Sequence, residues 1–451
     1  MSLRLGKTVH TRKAIATPGH PLPPESRKGQ PTLAVLPFRD LRLHDQEEYL
    51  TEGIAEEILR ALNHVAGLWV VSRTTSFRYG GSGFSLAEVG RHLGADTILG
   101  GSLVQRDDLL TLQAELIDVA RKQTIWSGDH DFHRKDLFSA LEAVTRSVMA
   151  ALGLSADLQP KYPADLEAYE FYLKGRRHYF KFSRQGMSQA AGMFRKALDI
   201  DPDYASAWAG LANCAAYAYI YAERTEPQRE LAESCSSKAL ELDPDLAEAH
   251  ASRGVALSAS GQADEAEAAF ETALCLDPSL FEAAYFYARH CFAAGKPERA
   301  IEYFEWAAAL RPEDFQAILL VAQVYHSLGL EDEAERARRA GLALVEERLE
   351  HAPDDIRARY LGANALVALG LREKGLAWAR MARRMDPEDP MLLYNLGCIH
   401  ALAGDSGEAL DCLEQAIAAG LTQRDWFLND GDLDSVRTLP RFQHLMETLD
   451  R

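Results

Sequence analysis

Asp129, His130, Asp131 and His133 place four side chains able to bind a metal within five residues. Mixed oxygen and imidazole donors at such spacing suit a divalent transition metal. On a strand, however, alternate residues face opposite sides, so only Asp129, Asp131 and His133 share a face. The group is read as a solvated strand end, with a metal-dependent hydrolase as the alternative. Gly80-Gly81-Ser82-Gly83 has phosphate-loop composition but lacks the Gly-Lys-Ser/Thr ending, and reads as a turn. Ser72, Arg73 and Thr74, with Thr75, follow an apolar run. At a strand's carboxyl end, where open sheets place ligands, they form a candidate seat for a small anion. The six cysteines (Cys214, Cys235, Cys275, Cys291, Cys398 and Cys412) include no Cys-x-x-Cys pair, and each reads as a small buried hydrophobe. No His-Glu-x-x-His, Gly-x-Ser-x-Gly or Walker motif occurs. The sequence therefore predicts a protein that is not an enzyme, with no cofactor and no metal.

The elements that carry these residues belong to a chain of 451 residues with a formal net charge of −18 and 47% hydrophobic residues. That composition excludes a disordered chain and a disulfide-stapled mini-fold. The acid excess argues against direct nucleic-acid binding, which needs a basic footprint. Residues 1–30 run the other way: Arg4, Lys7, Arg12, Lys13, Arg27 and Lys28 oppose only Glu25. With four prolines and no apolar period, they read as a disordered basic leader. The start has no signal-peptide pattern, and the cysteines suit a reducing compartment, so a cytoplasmic location is expected. The uncharged run 204–222 is interrupted by Ser206, Gly210 and Asn213. It reads as a buried helix, and no membrane insertion is expected.

Beyond residue 158 the chain repeats. Prolines 202, 244, 278, 312, 353 and 387 close successive segments at spacings of 42, 34, 34, 41 and 34. In segment 281–314, Ala288, Ala300 and Ala307 hold the close-packing positions, Gly295 the turn, Phe304 the large position and Pro312 the stop; Gly254, Gly261, Ala266, Phe270, Ala273 and Pro278 repeat the pattern. Two helices approach to about 8–10 Å only where side chains at the crossing are small. These segments resemble the tetratricopeptide repeat (TPR), a helix-turn-helix unit of about 34 residues. Seven repeats are expected over 158–421, the fifth with a lengthened second helix, and residues 422–451 as carboxy-terminal capping helices.

The resemblance implies a right-handed all-α superhelix whose concave wall, made of first helices, holds a peptide or protein partner. Groove-facing positions of the family fall here on Tyr285, Arg289 and Phe292, then Gln323 and His326, then Tyr360 and Asn364, then Tyr394. Aromatics, an arginine and amides suit recognition of a peptide backbone and its carboxylates. The alternative is a purely architectural solenoid, and exposed groove aromatics would also permit a homodimer.

Residues 31–157 read as a compact α/β unit in the order β-α-β-α-β-β-β-α. Strands are expected at 33–36, 68–71, 97–104, 109–116 and 124–126, and helices at 46–65, near 85–93 and 136–152. Ala34-Val35-Leu36-Pro37-Phe38, the run Glu48 to Ile54, the run Val70 to Phe77, Leu99-Gly100-Gly101-Ser102-Leu103 and Leu116-Ile117-Asp118 resemble the TolB-like domain that precedes TPR repeats in bacterial signalling proteins. The resemblance implies a sensory or docking domain fused to a scaffold. As the alternative, it implies the regulatory part of a transcriptional regulator or class III adenylate cyclase, whose effector domain is not expected in this chain.

Overall fold

The computed structural model describes residues 31–449 apart from 41–47, 64, 66, 72–75, 78, 80–84, 107, 156–164, 180–183, 222–224, 313 and 422. The amino-terminal unit contains β1 (Thr32–Val35), β2 (Arg39–Asp40), α1 (Glu48–Asn63), β3 (Trp69–Val70), α2 (Leu86–His92), β4 (Thr97–Arg106), β5 (Leu109–Asp118), β6 (Gln123–His133) and α3 (Leu137–Ala151). The sheet order is β3-β1-β4-β5-β6, with β2 beside β4. β1 runs parallel to β3 and β4, and β4, β5 and β6 form an antiparallel meander.

Strand alternation explains the two layers. Leu33, Val35, Leu99 and Leu103 meet Leu50, Ile54 and Ile58 of α1 and Leu141, Val144 and Val148 of α3. Ala34, Leu36 and Ile98 point the other way, into a smaller cluster with Val89 of α2. The expected strand at 124–126 extends to His133. Its continuation alternates without an apolar face because β6 is the last strand of the sheet, paired on one side by β5.

From Leu166 the chain runs in antiparallel helix pairs: α4 (Leu166–Tyr179) with α5 (Arg184–Ile200), α6 (Ala205–Tyr221) with α7 (Glu226–Leu242), and α8 (Ala247–Ala259) with α9 (Ala263–Leu276). There follow α10 (Phe281–Ala293) with α11 (Pro297–Leu310), α12 (Phe315–Ser327) with α13 (Glu331–His351), α14 (Ile356–Ala368) with α15 (Arg372–Met385), and α16 (Pro390–Leu402) with α17 (Ser406–Ala418). The lengthened α13 spans 21 residues, and the uncharged run is the helix α6. Among the described residues no helix is long and apolar enough to cross a membrane. A Cβ on Gly254 would lie 2.8 Å from Phe270, so the small position is set by the large ring one helix on. Gly261 and Gly295 turn the chain at φ +77° and +67°, a region that favours glycine. Asp201, Asp243 and Asp277, each before a closing proline, work in the turn: their Oδ1 atoms accept the amides of Asp203, Asp245 and Ser279 at 3.1, 3.3 and 2.8 Å. Five cysteines are buried; Cys275 is exposed, correcting the expectation, because it falls on the outer face of α9.

Two features bind the units together. The core around α1 continues without a break through Tyr169, Tyr172 and Phe194 of the first helix pair. The buried Tyr169 hydroxyl donates to the Gly53 carbonyl at 3.0 Å. At the other end α18 (Arg424–Asn429), a 3-10 turn (Gly431–Leu433), α19 (Asp434–Arg437) and α20 (Pro440–Leu449) follow the pairs. Phe427, Leu433, Val436 and Phe442 bury against Leu410 and Leu413 of α17, covering the last apolar face as a terminal cap must.

Candidate functional site

The eight expected groove residues all lie on first helices, on α10, α12, α14 and α16. What faces four of them is the chain's own segment 423–433. Asn364 Nδ2 donates to Asp432 Oδ2 at 2.7 Å, and Gln323 Nε2 donates to the same oxygen at 3.2 Å. The Tyr394 hydroxyl donates to Asp430 Oδ2 at 2.8 Å, and its ring meets Phe427 edge-on at 5.2 Å. The Arg289 guanidinium lies 5.1 Å from the Trp426 ring centroid, within cation–π range. Backbone contacts add to these. The Gly431 amide donates to Ser327 Oγ at 3.1 Å, Asn429 Nδ2 donates to the Ala293 carbonyl at 3.2 Å, and Gln423 Nε2 donates to the Ile220 carbonyl at 2.8 Å.

The remaining expected residues are placed differently. Tyr285 is buried, stacked on Phe281, and its hydroxyl accepts from Arg289 at 3.2 Å and from Arg357 at 2.8 Å. Tyr360 is buried too and accepts from Arg357 at 3.1 Å. Both therefore help to hold Arg289 and Arg357, which line a cavity beside segment 423–433. Phe292 lines a cavity of about 50 Å³ with Arg289, Gln323, Tyr360, Tyr394 and Asp430. His326 turns to its own repeat, with Nδ1 2.7 Å from Glu331 Oε1.

The acids these side chains hold are nearly sealed from water: Asp430 is 4% and Asp432 2% exposed. Burial, and then the charge of Asp432, raise the Asp430 carboxyl well above the ordinary range. Burial also raises Asp432, opposed by the Asn364 hydrogen bond and by the charges of Arg338 and His326. The Asp430 oxygens are well served, since Oδ1 accepts the Asp432 amide at 3.0 Å and Oδ2 faces the Cys398 thiol at 3.6 Å. Asp432 Oδ1 has no hydrogen-bond partner among the described residues.

Arg357, Trp426, Asp430 and Asp432 escaped the sequence reading. Arg357 stands one helical turn before Tyr360 on the same helix, which is a signal that could have found it. The acids carry no repeat spacing. Of the other candidates, Asp131 Oδ1 accepts from Thr111 at 2.6 Å, Asp129 Oδ2 from Gln113 at 3.5 Å, and His133 Nδ1 lies 3.2 Å from the Asp108 carbonyl. The three are thus engaged along the β5–β6 ladder rather than gathered on a common point. Ser72, Arg73 and Thr74, and the glycines 80–83, lie outside the described residues.

Residues 29–147 match the family described as HilA/YgeH-like transcriptional regulator, second domain. Residues 257–305, 287–348 and 360–421 match tetratricopeptide-repeat families. A protein of Rhizobium meliloti (strain 1021) named "Putative adenylate cyclase 3" is 29% identical over 251 residues, spanning 54% of this chain and 43% of that protein. The chain thus matches less than half the length of this curated relative. Among solved structures, MamA is 23% identical, with a TM-score of 0.30 over 39% of this chain and 96% of its own. YrrB, titled a TPR protein with an unusual peptide-binding site, is 20% identical, with a TM-score of 0.28 over 47% and 97%. The APC/C Cut9–Hcn1 structure is 14% identical, with a TM-score of 0.41 over 70% and 53%. The chain carries TPR repeats behind a regulator-like α/β unit.

Proposed function

We propose that this chain is a non-enzymatic interaction module. In it the α/β domain at 31–157 senses or docks, and a seven-repeat solenoid at 158–421 holds a peptide or protein partner along its first-helix wall. The observation that carries the reading is convergence: amide, hydroxyl and guanidinium groups from α10, α12, α14 and α16 all meet one short acidic segment. Groups from successive repeats meeting one short stretch are what a peptide groove needs, since no single helix could supply them. The resemblance of the α/β domain to TolB-like domains supports the sensory half. A displayed-peptide selection on the full chain, repeated on Gln323→Ala/Asn364→Ala, tests the groove. Sequences enriched on the first and lost on the second support it; equal enrichment on both, or none on either, contradicts it.

A second reading is favoured by the match of 29–147 to a regulator's second domain and by the partial match to the cyclase-named relative. In it, the module is the regulatory part of a transcriptional regulator or an adenylate cyclase. Sequencing the gene upstream and downstream distinguishes the two: an in-frame winged-helix or cyclase domain supports this second reading, and its absence favours the stand-alone scaffold.

A further inference from the structure

We infer that segment 423–433 is an intramolecular ligand, and that the groove's external partner is an acidic peptide of the same chemistry: an aromatic residue followed four positions later by Asp-x-Asp. This inference rests on the groove reading above and names its partner class. The resident segment supplies the template, with Trp426 against Arg289, Asp430 under Tyr394, and Asp432 under Asn364 and Gln323.

Three observations distinguish this from a cap alone. Capping the last helix pair needs only Phe427, Leu433, Val436 and Phe442, which already cover α17. The segment instead reaches back to Ser327, Ala293 and Ile220, across several helix pairs whose own stacking needs no cover from it. The contacts beyond the cap are polar and sequence-selective: two side-chain amides share one carboxylate oxygen, and a tyrosine hydroxyl takes the other carboxylate. The internal fit is also incomplete. Among the described residues Asp432 Oδ1 is buried without a hydrogen-bond partner, and two acids share a seat where the nearby Arg437 donates to the Asp430 main-chain oxygen and pairs with Asp434 rather than with either buried carboxylate. A buried acceptor left unmade weakens its own seat, which lets an external segment of adjustable register compete. A cavity of about 460 Å³ continues the groove upstream of Trp426, lined in part by Tyr219, Arg229, Ser258 and His290. Its hydroxyl groups suit polar residues ahead of the aromatic one, while Arg229 is already paired with Glu226 and Glu233.

The test uses the full chain and a fluorescent peptide of sequence 421–435. In the variant Trp426→Ala/Asp432→Ala, which keeps Phe427, Leu433 and Phe442 in the cap, peptide affinity by anisotropy should exceed that of the wild type at least about tenfold, a factor equal to about 1.4 kcal/mol. Adding Asn364→Ala should remove the gain, and a peptide with asparagine at positions 430 and 432 should not compete. A folded, monomeric release variant that ignores the peptide overturns the inference, as does a wild-type dimer with exchanged segments that excludes it. If the release variant does not fold, hydrogen exchange of residues 423–433 in the wild type decides: excess peptide should speed it, and unchanged exchange overturns the inference. Should the peptide fail while displayed peptides still select through Gln323 and Asn364, only this inference falls; failure of both removes the groove reading as well.

Discussion

Asp430 and Asp432 are the hub of the contacts that segment 423–433 makes, and both face protein rather than water. The Tyr394 hydroxyl, the Cys398 thiol and the Asp432 amide face Asp430. Asn364, Gln323, Arg338 and His326 act on Asp432. Burial and the neighbouring acid push the Asp430 carboxyl up to about 7. A carboxyl raised above its unfolded value of about 4 holds its proton more tightly in the folded state. The seat is therefore fully favoured below about pH 4 and weakens as pH rises through 7. Exchange of residues 423–433, corrected for intrinsic rate, should be slower at pH 5 than at pH 8, and Asp430→Asn should shrink the difference, burial having raised Asp432 as well; a flat or inverted wild-type profile contradicts this. Asn364→Ala strips a donor from a buried carboxylate and should cost about 1–3 kcal/mol in urea unfolding. Repeat position made Asn364, Gln323, Arg289 and Tyr394 legible in the sequence. Their counterparts were not, since Asp432 comes from 68 residues beyond Asn364 and 109 beyond Gln323, a distance that no local spacing encodes.

At the scale of elements, periodicity carried the helices because each repeat buries the same face. Gly254, Phe270 and Pro278 can be assigned from a 34-residue spacing, and the structure uses Gly254 for the approach of Phe270. Gly254→Val should force that ring aside and lower stability by about 1–3 kcal/mol, measured by thermal or urea unfolding; a neutral substitution would contradict the close crossing. The insertion before Pro353 is legible as helix because it adds whole turns, and α13 absorbs it. β6 was read too short, because Ser127 to Asp131 offer no apolar alternation. Its length comes from pairing with β5, a tertiary effect that overrides local preference. β2 is two residues long and gives no periodic signal at all.

For the whole molecule, the continuous core from α1 into the first helix pair makes the α/β unit and the solenoid one cooperative body at that junction. A sequence divided at about residue 157 by composition hides this, because the residues that join the halves, Gly53 and Tyr169, look ordinary in isolation. A Cβ on Gly53 would lie 2.4 Å from Leu173. Tyr169→Phe removes a buried hydrogen bond to the Gly53 carbonyl, which keeps its partner within α1, and should lower the unfolding free energy by about 0.5–1.5 kcal/mol. Calorimetry should show the α/β unit and the first repeats melting in one transition, and separate transitions would contradict a shared core. At the far end the return of the chain brings its own acidic segment against the first helices of successive pairs.

That return is tested most directly by hydrogen exchange on the wild type and on Gln323→Ala/Asn364→Ala. The account predicts that amides of residues 423–433 are protected in the wild type. In the variant their exchange should be at least about tenfold faster, while α10, α12, α14 and α16 stay protected. Rapid exchange of 423–433 in the wild type, or protection unchanged by the double substitution, would contradict it.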